Sequence, residues 1–200
     1  KELGATEFVG YERLSADAKV CAIVRNGERV DSLAAGEQGE IVLNVTPFYA
    51  EMGGEVGDTG TITADGVELQ VIDTKAPEKG LVCHVATVAS GTLAVGMAVS
   101  VQVDAKRRAC IARNHTCTHI LHAALRQVLG AHVKQAGSYV GPDRLRFDFT
   151  HFESVTPEQL KQVEELANCV IMSATATNIF ETSLAKAREE GVTALFGEKY

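Results

Sequence analysis

The sequence predicts an α+β protein: an N-terminal small β-barrel followed by an α+β core in which a long helix packs on an antiparallel sheet. Three observations carry that expectation. The first hundred residues break into short strand-like runs with short connections. The apolar period then changes near residues 103–106, from strand-like to helical, and stays helical for some 25 residues. Beyond that helix, "RLRFDFTH" alternates Leu145, Phe147 and Phe149 with Arg146 and Asp148, so one face is buried and one is wet.

The elements follow in order. "KVCAIVRNGERVDSL" holds a strand, an Asn26-Gly27 turn and a second short run. Asn-Gly suits a type I′ hairpin, where both central residues need φ > 0. "GEIVLNV", "GTITADGVELQVID", "GLVCHVATV" and "MAVSVQVD" come next, with Asp65-Gly66 as a second hairpin signal. About six strands in all read as a barrel or sandwich. In "DAKRRACIARNHTCTHILHAALRQVLG" the apolar groups Ile111, Leu121, Ala124, Leu125 and Val128 recur at helical spacing. Asp104 is the expected N-cap and Gly130 the expected stop. The runs "AGSYVG" and "RLRFDFTH" are strands joined through Gly141-Pro142-Asp143. Thr156-Pro157-Glu158-Gln159 reads as a capping box with Pro at the first helical position, opening a helix through about Ser173. "TATNIFETS" is expected as a strand, and "LAKAREEG" as a short helix ending at Gly191. The division is therefore 1–104 for the barrel and 105–200 for the α+β core.

Composition bounds the function. Apolar residues make up 46% and charged residues 22% of the chain, ordinary values for a globular protein. No apolar run approaches the ~20 residues of a membrane span, so no membrane partner is expected. The five cysteines are scattered without a CxxC pair, which fits reduced thiols and a cytoplasmic location. The start at Lys1 rather than Met suggests a piece of something longer. A net charge of −7 counts against a dedicated nucleic-acid binder, and DNA is not an expected partner. It leaves room for a domain that handles one end of an RNA. Lys106, Arg107, Arg108 and Arg113 form a local basic cluster, either a solvated helix start or a phosphate-facing patch.

The stretch "RNHTCTHILHAAL" places His115 and His119 four residues apart. On a helix, i and i+4 share a face, so both imidazoles can aim at one zinc ion, at about 2.0–2.1 Å from each nitrogen. His122 reads better as a core-edge histidine hydrogen-bonded to backbone. Residue 116 is Thr rather than Glu, so this is not the HExxH of a metalloprotease. Zinc takes three or four protein ligands. Cys117 falls on the wrong face, and His151 and Cys169 stand alone. The glycine-rich "EMGGEVGDTG" permits φ > 0 and close backbone approach at Gly53 and Gly54. It lacks the order of a P-loop or a dinucleotide fingerprint, and Glu51, Glu55 and Asp58 argue against direct phosphate contact.

Three segments together resemble one family. "RNHTCTHILHAALRQVLGAHVKQAGSYVGPDRLRFDFTHFE" resembles the editing domain of the alanyl-tRNA synthetases. "TPFYAEMGGEVGDTG" (Thr46–Gly60) resembles the glycine-rich stretch of the barrel before it, and "GVTALFGEKY" (Gly191–Tyr200) the segment after the second editing-domain helix. The resemblance runs nearly end to end, in the family's order and spacing. It implies an internal editing region, with the aminoacylation domain, and its ATP and Mg2+, lying outside these 200 residues.

The resemblance also implies a reaction: hydrolysis of the ester joining serine or glycine wrongly to the 3′ end of tRNA(Ala). A pocket sized for alanine separates neighbours by only about 10–200-fold, so a second hydrolytic sieve is needed. In the family a downstream CxxxH completes the HxxxH zinc site. His115 and His119 match the first pair, and the second pair has no match here, so zinc is expected to be absent or only partly ligated. The ion could polarise the carbonyl, activate water or hold the substrate's amino group. Thr118 and Gln135 match family positions associated with editing; read alone, they are a helix-surface Thr and a loop Gln. Gly53 and Gly54 are expected beside the substrate. The implied partners are the acceptor end of tRNA(Ala) and the remainder of the synthetase chain. A freestanding deacylase acting in trans and a non-catalytic tRNA-docking module are the alternatives.

Overall fold

The structure is a computed structural model that describes residues 4–178, 180 and 182–190. The "GVTALFGEKY" segment lies outside the described residues. The chain divides into two compact units, residues 1–115 with 138–146, and residues 116–137 with 147–200.

The first unit is built on a closed antiparallel barrel. Its strands are β1 (Glu7–Phe8), β2 (Ser15–Arg25), β3 (Glu28–Val30), β4 (Ser32–Ala34), β5 (Gln38–Leu43), β6 (Val45–Thr46), β7 (Gly60–Ala64), β8 (Val67–Glu78), β9 (Leu81–Ser90), β10 (Thr92–Ala94) and β11 (Ala98–Val103). The sheet runs β11-β7-β8-β9-β5-β2, and β11 pairs again with β2 to close the ring. Closure is possible because β2 serves two neighbours on one edge. Its first half, Ser15–Lys19, pairs with β11, and its last residues, Ile23–Arg25, pair with β3. A register shift between Val20 and Ala22 turns the strand. Closing the ring removes the free edges that an open sheet would expose.

Alternation fills the barrel. In β2 the buried positions Ala18, Val20 and Ala22 are interleaved with exposed ones. Ile23, Ile41, Leu43, Phe48, Ile62, Leu69 and Val101 meet in one core at 1% exposure or less. The small ribbon of β10 and β4 pairs Leu93 with Leu33 and adds both to that core. The Asn26-Gly27 turn has φ of 53° and 81°, as type I′ requires. At the Asp65-Gly66 hairpin only Gly66 is left-handed, at φ 68°, so that turn is of another type. There are more strands than the six expected. The additional ones are two or three residues long, too short for a period of two to show in sequence.

Helix α1 (Ala105–Leu129) begins two residues after β11 ends. Asp104 Oδ1 accepts from the backbone N–H of Lys106 and Arg107, both at 3.0 Å, which caps it. Gly130, at φ 117°, ends it. The strands β12 (Gln135–Val140) and β13 (Leu145–Phe149) form a two-stranded sheet.

The second unit has its own core. Leu121, Ala124, Leu125, Val128 and Leu129 of α1 pack with Val133, with Phe147 and Phe149 of β13, and with Val163 and Leu166 of α2 (Pro157–Met172). The capping box of α2 is present in both directions. Gln159 N–H donates to Thr156 Oγ1 at 3.2 Å, and Thr156 N–H donates to Gln159 Oε1 at 2.9 Å.

Helix α3 (Leu184–Glu189) matches the expected short helix, although Gly191 lies outside the described residues. "TATNIFETS" is a correction: its described residues form no strand. An extended run becomes a strand only by hydrogen bonding to a neighbour, and among the described residues no strand pairs with it. Ile179 and Glu181 lie outside the described residues.

Candidate functional site

The glycine-rich loop is held by a buried ion pair. Asp58 is 2% exposed, and Arg108 of α1 meets its carboxylate with Nε 2.9 Å from Oδ1 and with Nη2 on Oδ2. Arg108 also donates to the carbonyls of Gly10 and Pro47, both at 3.0 Å, and Tyr49 N–H donates to Asp58 Oδ2 at 2.7 Å. A buried carboxylate is tolerated only when its charge and lone pairs are met in this way. Arg107 Nη1 donates to Gly57 O at 2.8 Å. Half of the basic cluster seen in sequence is thereby spent on loop architecture. Arg113 donates to Cys110 Sγ at 3.1 Å, and Lys106 is exposed.

Gly53 and Gly54 turn the loop at φ of 62° and 87°. Met52 and Glu55 exchange backbone hydrogen bonds of 3.2 and 3.0 Å across that turn. The turn is clamped to β12, where Val140 N–H donates to Gly54 O at 2.8 Å and Val56 N–H donates to Val140 O at 3.0 Å. A Cβ on Gly54 would lie 2.3 Å from the carbonyl oxygen of Ser138. This is the close approach that glycine allows.

The turn brings the Glu55 carboxylate onto His115. His115 Nδ1 donates to Glu55 Oε2; the Glu55 side chain is 13% exposed and that of His115 43%. The hydrogen bond to Glu55 raises the His115 pKa above its ordinary value, with partial burial acting the other way. On the neighbouring position, Asn114 Nδ2 donates to Gly141 O at 2.8 Å.

The remaining candidates are placed as follows. His119 lies one turn beyond His115 on the uninterrupted helix and is exposed. Thr118 is buried, at 6% exposure, and is not the surface Thr that its sequence position alone suggested. Gln135 is the half-buried first residue of β12, not a loop residue. His122 packs its ring on Phe147 with centroids 5.1 Å apart, and its buried Nε2 has no hydrogen-bond partner among the described residues. His151, read as isolated, hydrogen-bonds to His132 at 2.8 Å between ring nitrogens, and Phe152 stacks on His132. Among the described residues no group of three or more His, Cys, Asp or Glu side chains gathers as a metal site. All five cysteines are free, and burial pushes the Cys83 thiol up to about 11.

Sequence reasoning missed Glu55 as the partner of His115. The two are sixty residues apart, and no periodicity links a loop carboxylate to a helix. The available signal was the charged residue directly after two glycines.

The family described as tRNA synthetases class II (A) matches residues 1–107, more than half of the chain. The chain belongs to this family. Individual relatives extend the match to the whole chain. The alanine–tRNA ligase of Pelotomaculum thermopropionicum is 51% identical over 200 residues, all of this chain and 23% of that protein. That of Nitrobacter winogradskyi is 50% identical over the same length, 22% of that protein. That of Carboxydothermus hydrogenoformans is 50% identical over 200 residues, 23% of its length. The chain thus spans under a quarter of the length of these relatives.

Proposed function

We propose that this chain is the barrel and editing region of an alanine–tRNA ligase, dividing into a barrel at 1–104 and an editing core at 105–200. The parent would join alanine to tRNA(Ala) in the cytoplasm, using ATP and Mg2+ at an aminoacylation domain elsewhere in the protein. The region in hand would hydrolyse Ser-tRNA(Ala) and Gly-tRNA(Ala). The observation that carries this reading is the HxxxH pair on α1, in a chain 51% identical along all its length to an alanine–tRNA ligase.

The donor chemistry fits half of a zinc site. Imidazoles are good zinc ligands, and two at i and i+4 on an unbroken helix offer two of the four positions. His115 and His119 would hold the ion, with the remaining ligands supplied from outside residues 1–200. When bound, zinc supplies a Lewis acid at the ester or its water.

The chain's own residues would do the rest. We assign Thr118 and Gln135 to the serine hydroxyl, because a sieve for a hydroxyl needs polar partners that an alanine ester leaves unmet. Gly53 and Gly54 would shape the turn beside the approach of the 3′ end, with Gly54 packed against the Ser138 carbonyl of β12. In the reaction water adds to the ester carbonyl carbon. The bond to the ribose oxygen breaks, and that oxygen leaves with a proton as the free hydroxyl.

The test uses the full-length ligase. His115→Ala and His119→Ala are expected to lose release of serine from pre-charged tRNA(Ala) while keeping alanine-dependent ATP–pyrophosphate exchange. Gln135→Ala should be milder, since losing one polar contact costs about 1–3 kcal/mol. Wild-type serine release by both histidine variants would overturn the reading.

A further inference from the structure

We propose that Glu55 is the positioning residue of His115: its carboxylate fixes the imidazole with the proton on Nδ1, leaving Nε2 as the lone-pair nitrogen for the metal. The inference rests on the metal reading of His115 given above. It adds a residue that the HxxxH pattern does not contain, delivered from a loop sixty positions away.

A neutral imidazole carries one N–H and one lone pair, and only the lone pair binds a metal. Which nitrogen is which is set by the hydrogen bond the other makes. Here Nδ1 faces a carboxylate, which can only accept. The proton therefore sits on Nδ1, and Nε2 is the donor atom. A carboxylate behind a ligating histidine also raises its basicity and fixes its plane.

The surrounding backbone is organised to make this contact. Gly54 and Val56, on either side of Glu55, both bond to Val140 of β12. The next residue of that segment, Gly141, accepts from Asn114, directly before His115. The turn carrying the carboxylate and the helical turn carrying the imidazole are thus tied to two adjacent residues. Gly54 is what permits the tie, since any side chain there meets the Ser138 carbonyl. The Glu55 side chain is 13% exposed and that of His115 43%, so the carboxylate is the more shielded member of the pair.

The experiment measures zinc affinity of the full-length ligase by competition with a chromophoric chelator. Glu55→Ala is expected to bind zinc roughly 10–100-fold more weakly. Glu55→Ser, polar but too short to reach Nδ1, should match it. Glu55→Gln, whose amide oxygen still accepts from Nδ1, should stay near the wild type. A purely structural ion pair would not be rescued in this way. Circular dichroism melts identify which variants are folded, and wild-type zinc affinity in either folded short variant overturns the role of Glu55. His115→Ala separates the two ideas. If it too keeps wild-type affinity, the metal reading of the helix fails along with the proposal. If it loses zinc while Glu55→Ala and Glu55→Ser do not, only the role of Glu55 is lost.

Discussion

His84 is fully buried in the barrel and has both ring nitrogens engaged. Nδ1 donates to Ile41 O at 2.8 Å, which leaves Nε2 to accept from Thr46 Oγ1 at 2.7 Å. Thr46 Oγ1 in turn accepts from Phe48 N–H at 3.1 Å. With the ring neutral, each of these groups has a partner. Burial accordingly brings the His84 pKa from 6.5 down to about 4, with the Ile41 bond opposing. The folded pKa lies below the unfolded one, so the unfolded chain binds the proton first as pH falls. Stability from this group is complete above about pH 6.5 and declines as pH drops toward 4, by roughly 3 kcal/mol in all. Urea unfolding at pH 7.5, 5.5 and 4.5 should show this slope, and His84→Gln should flatten it while lowering stability at every pH. Equal slopes in the two proteins would refute the assignment. The candidate site was legible in sequence where its residues are neighbours on one element. His115 and His119 stand out because a helix repeats every four residues. Glu55 does not, because the loop that delivers it has no period. Arg107 and Arg108 read equally well as phosphate contacts, and only the fold reveals that Gly57 and Asp58 use them.

Among the elements, the Met52–Glu55 turn is held by close backbone packing. Gly54 and Gly27 both sit at positive φ, 87° and 81°. They differ in what a methyl group would meet. At Gly27 nothing lies within 4 Å, whereas at Gly54 the Ser138 carbonyl oxygen is 2.3 Å away. Gly27→Ala should therefore cost only the left-handed backbone penalty, about 1–2 kcal/mol. Gly54→Ala should cost more, because a backbone atom of a paired strand must move. It should also weaken the His115–Glu55 contact, visible as a shift of the His115 ring resonances absent in Gly27→Ala. Equal stability of the two variants by urea unfolding would mean that the clamp on β12 is soft. Capping offers a smaller test: Thr156→Ala removes one side of the capping box and should destabilise α2 by about 1 kcal/mol, read as faster amide exchange in its first turn. Long elements with chemical punctuation were readable in advance. Asp104 and Gly130 bound α1, and Thr156 opens α2, because caps act on adjacent backbone groups. The two-residue strands β1 and β6 were not readable, since their pairing is decided by partners far along the chain. "TATNIFETS" failed for the complementary reason: suitable residues do not supply a neighbouring strand.

At the scale of the whole molecule, apolar burial is divided. The barrel core and the core formed by α1, β13 and α2 share no residue, and each belongs to one compact unit. The chain passes from one unit to the other within α1, within β12 and within β13; in α1, Ile111 is buried in the first half and Leu125 in the second. Distant sites without shared partners contribute to stability independently, and proteins open in cooperative units that follow such cores. A cavity in one core should therefore loosen that unit first. Leu69 is 0% exposed and Leu125 is 3% exposed, so Leu→Ala at either should remove about 2–5 kcal/mol from the core it occupies. Native-state hydrogen exchange under mild denaturant separates the effects. Leu69→Ala is expected to lower protection of the β8 and β9 amides and leave α2 nearly unchanged. Leu125→Ala is expected to lower protection in α2 and in α1 beyond His115, with β8 and β9 nearly unchanged. If either substitution reduced protection equally in both units, the chain would be one cooperative body, and the division into two units would be a feature of packing alone.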